Sequence, residues 1–234
     1  MVNQWYCVSL IELIPTATKL TLRLRLFSFL LMLYKALIFD LGKVVFDLSF
    51  ERVFQSWAKG SNGQAYELKA RFQFDDLFDQ FEKAAITPQH FRREVANKLG
   101  LTLTDQEFDA GWGDLYLAAY PGIDALLAQL KSSYQLVALT NTNCLHSPVW
   151  KRKYADTLRY FDHVFSSHEL QARKPEATAY QHVLAYLQMQ PAEVVFLDDS
   201  PDNIKGADQL GLKTILVTSY EQMTAALHSL GLLP

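Results

Sequence analysis

Asp40, Thr140-Asn141, Lys174 and Asp198-Asp199 are the positions of this 234-residue chain whose side chains and spacing suit chemistry. Asp40, Thr140 and Asp198 each end a short apolar run: Ala36-Leu37-Ile38-Phe39, Leu136-Val137-Ala138-Leu139 and Val194-Val195-Phe196-Leu197. Such runs have the form of buried parallel strands. Open parallel sheets bind ligands outside the carboxyl ends of their strands. One aspartate after a strand is also an ordinary helix N-cap. Three carboxylates beside one lysine are harder to explain that way, because they repel one another unless a cation shares the site. An oxygen-only set favours Mg2+ over zinc. A lysine, a hydroxyl and backbone amides at a helix start then suit the oxygens of a phosphate.

The elements that must hold these groups alternate. Apolar runs at 35–39, 135–139 and 193–197, with shorter ones at 163–165 and 213–217, read as strands. Helices are expected at 121–133, opened by Pro121, at 175–189, and at 201–211, ended by Gly211. The expected fold class is α/β: a Rossmann-like parallel sheet with helices on both faces, plus a small inserted α-helical cap. Residues 47–119 form that insertion and show no convincing strand. Phe91, Val95 and Leu99 make one helical stripe after Pro88, and Thr104 with Glu107 forms a capping box. Phe74, Leu77, Phe78 and Phe81 are expected on one helical face as the insertion's own core. The chain thus divides into an N-terminal extension at 1–31, a core at 32–46 and 120–234, and the insertion at 47–119.

With 22 Lys+Arg against 25 Asp+Glu and no basic block, the chain lacks the electrostatic footprint of a nucleic-acid binder. Half its residues are hydrophobic, which excludes a disordered chain. Cys7 and Cys144 are too few and too far apart for a disulfide framework, so a cytoplasmic location is expected. Lys19, Arg23 and Arg25 precede an apolar run at 26–34, but no small-x-small cleavage pattern follows. That run is far below the ~20 residues a bilayer span requires. No stable membrane association is expected.

The four stretches together resemble the motifs of the haloacid dehalogenase superfamily. They stand here as Phe39-Asp40-Leu41-Gly42, Leu139-Thr140-Asn141, Arg173-Lys174-Pro175-Glu176, and Asp198-Asp199-Ser200-Pro201-Asp202-Asn203. Within it, Thr140-Asn141-Thr142-Asn143-Cys144-Leu145-His146, the Arg173–Ala177 stretch and Asp202-Asn203-Ile204-Lys205-Gly206-Ala207 are similar to the bacterial α-D-glucose-1-phosphate phosphatases. The resemblance implies a phosphatase in which Asp40 attacks phosphorus and forms an aspartyl-phosphate. It implies Mg2+ held by the Asp40 carboxylate, the Gly42 carbonyl and Asp199. Thr140, Asn141 and Lys174 would bind the phosphoryl group, with Asp198 and Asn203 positioning the metal's ligands or waters. The implied partner is a small phosphate ester, a sugar phosphate such as α-D-glucose 1-phosphate.

One departure matters. Most phosphatases of the superfamily carry an acid–base Asp two residues after the nucleophile, where this chain has Gly42. Its absence favours acidic leaving groups, such as an anomeric hydroxyl. Two alternatives stay open: a 2-haloacid dehalogenase, which needs no metal, and a catalytically weak relative that binds a phosphorylated ligand. Of the remaining residues, Trp112, Trp150 and Tyr116 are expected in packing or against a sugar ring. His146 is either a structural hydrogen bonder or a substitute proton shuttle. Cys144 is a bystander, and Arg92-Arg93 a solvated face.

Overall fold

Strand β1 (Ala36–Phe39) is buried at every residue and pairs in parallel with β4 (Gln135–Thr140) on one side and β6 (Val194–Asp198) on the other. Beyond them lie β5 (His163–Ser166) and β7 (Lys213–Leu216), giving a five-stranded parallel sheet in the order β5-β4-β1-β6-β7. This computed structural model describes residues 34–61 and 63–234, so the expectations for residues 1–31 lie outside the described residues.

The sheet is covered on both faces. Side chains alternate along β1, so Leu37 and Phe39 enter one apolar cluster while Ala36 and Ile38 enter another. Helices α6 (Ile123–Lys131), α10 (Ala177–Leu187) and α11 (Pro201–Gln209) form where helices were expected, each within two or so residues. Gly211 follows α11 at φ +86°, the left-handed conformation glycine adopts without a Cβ penalty. Short helices α7 (Ser147–Lys153), α8 (Ala155–Leu158) and α9 (Ser167–Leu170) come between β4 and α10, and α12 (Tyr220–Ser229) follows β7. Among the described residues, no helix is long and apolar enough to cross a membrane.

Five helices follow one another after β2 (Phe46–Leu48): α1 (Phe50–Lys59), α2 (Ala65–Arg71), α3 (Asp76–Glu82), α4 (Pro88–Leu99) and α5 (Asp105–Gly113). Phe91, Val95 and Leu99 are buried on α4, and the Thr104–Glu107 capping box opens α5. The stretch is not strandless, however. Strand β3 (Tyr116–Ala119) pairs antiparallel with β2. Strands of three and four residues are too short to show a period, and pairing with each other stabilises them more than propensity does. Phe74 also departs from expectation. It precedes α3 and is 61% exposed, while Phe78 and Phe81 are buried.

The insertion has an aromatic core. Trp57 and Trp112 stack with ring centroids 5.5 Å apart, and the Trp57 indole N–H donates to the Phe108 carbonyl at 3.0 Å. Gly111 permits this approach: a Cβ there would lie 2.4 Å from Trp57 Cδ1. Gly111→Val is expected to cost about 1–3 kcal/mol by overpacking. Thermal denaturation should show it as a Tm lowered by roughly 2–4 °C per kcal/mol in a chain of this size. An unchanged Tm would mean that α1 and α5 separate freely.

Candidate active site

Because β1 lies between β4 and β6, their last residues and the residue after β1 meet at one edge of the sheet. Asp40 follows β1, and its amide donates to the Leu197 carbonyl at 2.8 Å, extending the β1–β6 ladder by one step. The residue is 8% exposed. Thr140 ends β4 and Asp198 ends β6, both buried.

Lys174 reaches this edge from the segment before α10. Its side chain is buried and its ammonium donates to Asp40 Oδ1 at 2.7 Å and Asp198 Oδ2 at 2.6 Å. The backbone carrying it is clamped by Asn141. Asn141 Nδ2 donates to the Lys174 carbonyl, and the Lys174 amide donates to Asn141 Oδ1, both at 2.9 Å. The Asn141 side chain is thus committed to holding Lys174. Asp198 is fully engaged too: its Oδ1 accepts from the Ser200 amide at 2.8 Å and from Asn203 Nδ2 at 2.9 Å.

Asp199 is exposed beside them, and one oxygen from each of Asp40, Asp198 and Asp199 lies within 4.8 Å of the others. Three carboxylates against one ammonium leave negative charge uncompensated. Burial pushes the Asp40 carboxyl up to about 7; Lys174 opposes the rise, and Asp198 and Asp199 add to it. Partial burial and the neighbouring Asp198 raise the Asp199 carboxyl. Burial alone would lower the Lys174 ammonium, but Asp198 and Asp40 outweigh it and hold it above the ordinary lysine value. A hard divalent cation fits this set, since it would cancel the surplus charge with oxygen ligands alone.

A family model described as haloacid dehalogenase-like hydrolase matches residues 34–211, which take in all four motifs. The chain belongs to that family. It is 25% identical over 188 residues to D-ribitol-5-phosphate phosphatase of Bacteroides thetaiotaomicron, covering 77% of this chain and 90% of the relative. It is 27% identical over 191 residues to the sesquiterpene phosphatase astK of Aspergillus oryzae, covering 79% and 90%. Among solved structures, a mutant HAD family enzyme from Bacteroides thetaiotaomicron in complex with magnesium and inorganic phosphate superposes with a TM-score of 0.71. The identity there is 28%, covering 82% of this chain and 98% of that one.

In this haloacid dehalogenase-like hydrolase a cavity of about 310 Å³ opens over the charged edge. Its floor holds Asp40, Thr140, Asn141, Lys174, Asp199 and Asn203. Its walls are aromatic, with Phe50, Phe74, Phe78, Tyr116 and Trp150, and one further carboxylate, Glu82. Another cavity, of about 350 Å³, lies in the insertion between Phe72, Leu77 and Val95 and holds none of the floor residues. Gly42 borders the first of these cavities, but a Cβ there would lie 2.6 Å from Leu48 Cδ1. An acidic side chain at 42 has no room while Leu48 keeps its place.

His146 does not replace the missing acid. Its Nε2 is bonded to the Trp112 carbonyl at 3.0 Å and its Nδ1 to Asn143 at 3.3 Å, and its ring stacks on Trp112. Burial pushes the imidazole down to about 3, so it stays neutral. Trp112 sits in the insertion core, whereas Tyr116 and Trp150 border the cavity. Cys144 is exposed, and partial burial raises its thiol. Arg92 is not a solvated residue: it grips Asp109 through two bonds of 2.7 and 2.6 Å. Glu82 escaped the sequence reading altogether. Its only signal is an acidic residue directly after Phe81 on a helix with an apolar face, and the partner that gives it meaning, Arg173, is 91 residues away.

Proposed function

We propose that the chain is a Mg2+-dependent phosphatase of small phosphate monoesters, acting through an aspartyl-phosphate on Asp40. The observation that carries this reading is the Lys174 ammonium bridging Asp40 and Asp198, with Asp199 alongside. The Asp40 carboxylate, the Gly42 carbonyl and Asp199 would hold the ion. Bound there, Mg2+ supplies the positive charge that lets a carboxylate and a phosphate dianion approach each other. The roles of the chain's own residues follow. An Asp40 oxygen attacks phosphorus as the ester P–O bond breaks, and water then cleaves the acyl phosphate. The Thr140 hydroxyl and the Asn141 backbone amide donate to the phosphoryl oxygens, while Lys174 neutralises them and orients Asp40. Asp198 and Asn203 fix Lys174 and the end of β6. The helical insertion acts as the cap that closes over the substrate.

A dehalogenase fits less well, because its chemistry gives Asp199 no task. Relationship to a polyol phosphate phosphatase supports a sugar or polyol phosphate. The aromatic walls can stack on the carbon face of a sugar ring. With no donor at Gly42, α-D-glucose 1-phosphate is the favoured sugar ester, because its anomeric hydroxyl leaves more readily than an ordinary alcohol. A second reading, an ester with an apolar body, is favoured by the same aromatic walls.

Phosphate release from glucose 1-phosphate, glucose 6-phosphate and an isoprenyl monophosphate, with Mg2+ and with EDTA, tests both. Metal-dependent release that favours the 1-phosphate is expected. Faster release from the isoprenyl ester would select the apolar reading. Release unaffected by EDTA would remove the metal from the proposal.

A further inference from the structure

We propose that Glu82, carried by the helical insertion, is the general acid and base of the phosphatase reaction, in place of the side chain missing at Gly42. The inference rests on the phosphatase reading above and deepens it.

Titratable side chains bordering the cavity are few, and nearly all are committed. Lys174 bridges two carboxylates, and Asp40 and Asp199 are placed for phosphorus and metal. Lys43 donates to Asp47 at 2.6 Å and to the Leu48 carbonyl at 2.8 Å. His146 is a neutral, doubly bonded imidazole, and burial raises the Tyr116 phenol well above its ordinary value. Glu82 remains. It is the last residue of α3, 5% exposed, and borders the same cavity as Asp40, Thr140 and Lys174.

Its surroundings allow it to carry a proton. Arg173 Nε donates to Glu82 Oε2 at 2.9 Å, while Arg173 Nη1 pairs with Asp79 at 2.6 Å. Two carboxylates therefore share one guanidinium, and the more buried of them, Glu82, is the one that gains by protonation. Arg173, Asp79, Lys174 and Tyr116 are the charged and titratable groups facing it. Burial and Asp79 raise its carboxyl, Arg173 and Lys174 lower it, and it settles at about 7, the value suited to proton exchange near neutral pH. The helix is also anchored: Lys83 donates to Glu176 at 2.8 Å, two residues beyond Lys174. Glu82 is therefore fixed relative to the floor by ion pairs on both sides of the same segment.

The proton balance closes over a turnover. As the Asp40–phosphorus bond forms and the ester P–O bond breaks, the Glu82 O–H proton passes to the leaving oxygen, giving a neutral alcohol and a Glu82 carboxylate. The carboxylate then takes a proton from the water that attacks phosphorus as the Asp40–phosphorus bond breaks, which returns Asp40 to a free carboxylate. Free phosphate leaves, and Glu82 is protonated again. With this acid in place the enzyme also reaches esters of ordinary alcohols, while an acidic leaving group needs it least.

The test uses Glu82→Gln, which can still accept from Arg173, on two esters: 4-nitrophenyl phosphate, with a good leaving group, and glucose 6-phosphate, with a poor one. The kcat on glucose 6-phosphate should fall by ~10²–10⁴, the usual worth of general acid–base help, with 4-nitrophenyl phosphate changed only a few-fold. The wild-type fall in glucose 6-phosphate activity above about pH 7 should disappear with the carboxyl. Lys83→Met, which removes the other ion pair holding α3 and leaves the groups facing Glu82 in place, is the control for a purely structural anchor: a loosened helix slows both esters alike. Equal losses on both esters in Glu82→Gln, or none, would overturn the inference and leave the phosphatase standing. Wild-type protein that releases phosphate from neither ester would overturn both.

Discussion

Asp40→Asn is expected to reduce phosphate release by on the order of 10⁴–10⁶, the scale on which removing a covalent nucleophile acts. The amide nitrogen and oxygen of asparagine cannot displace an alkoxide from phosphorus, so no slower version of the same route remains. The fold should survive the change. The asparagine Oδ1 can still accept from the Lys174 ammonium, which sits 2.7 Å from Asp40 Oδ1. One buried carboxylate also leaves a cluster that has more negative than positive charge. The Tm of the metal-free variant should therefore equal or exceed that of wild type, which separates lost chemistry from lost structure. Turnover in 18O water sorts the enzyme classes: a phosphatase puts the label in released phosphate, whereas a dehalogenase puts it in the Asp40 carboxylate. More than about one per cent residual release in Asp40→Asn would place the nucleophile elsewhere, since nucleophile losses are far larger.

How much of this was legible in the chain depends on whether a feature is local. Strands β1, β4 and β6 were visible because both faces of each are buried, which makes them continuous apolar runs. The polar residue that ends each run marks the carboxyl edge of the sheet: Asp40 and Thr140 line the floor of the cavity, and Asp198 stays buried against Lys174. The caps of α4 and α5 were visible for the same reason: Thr87 and Thr104 bond amides only three residues on. What was hidden depends on residues distant in sequence. The β2–β3 ribbon joins residues about 70 apart and has no period of its own. Phe74 matched a helical spacing but precedes the helix, so its ring faces the cavity mouth rather than the insertion core. Glu82 is ordinary as a sequence position, and only folding brings Arg173 and the cavity to it. The sequence at Gly42 shows only that an acid is missing; the nearness of Leu48 to the absent Cβ adds that the chain has filled the vacated space.

Lys174→Met is expected to be the most destabilising single change at the site. The methionine keeps much of the length of lysine but removes the one ammonium between Asp40 and Asp198, leaving two buried carboxylates facing each other. Removing one partner of a buried ion pair typically costs 3–5 kcal/mol, far more than the pair contributes when whole. Asp198 cannot turn to water, because Ser200 and Asn203 hold its other oxygen and the residue is fully buried. Urea denaturation of the metal-free protein should show a loss of about this size. Adding Asp198→Asn to Lys174→Met should return a large part of it, because the unpaired charge and not the missing side chain is the cost. Mg2+ should raise the Tm of Lys174→Met more than that of wild type, since three carboxylates without an ammonium attract a cation more strongly. Activity should fall by about 10²–10³ even with saturating metal, the range for losing one preorganised donor to a transferring group. A variant that keeps its stability while losing that activity would make Lys174 a substrate ligand alone. A variant that loses both assigns it two tasks: holding the strand ends of β1 and β6 together, and offsetting phosphoryl charge once the substrate arrives.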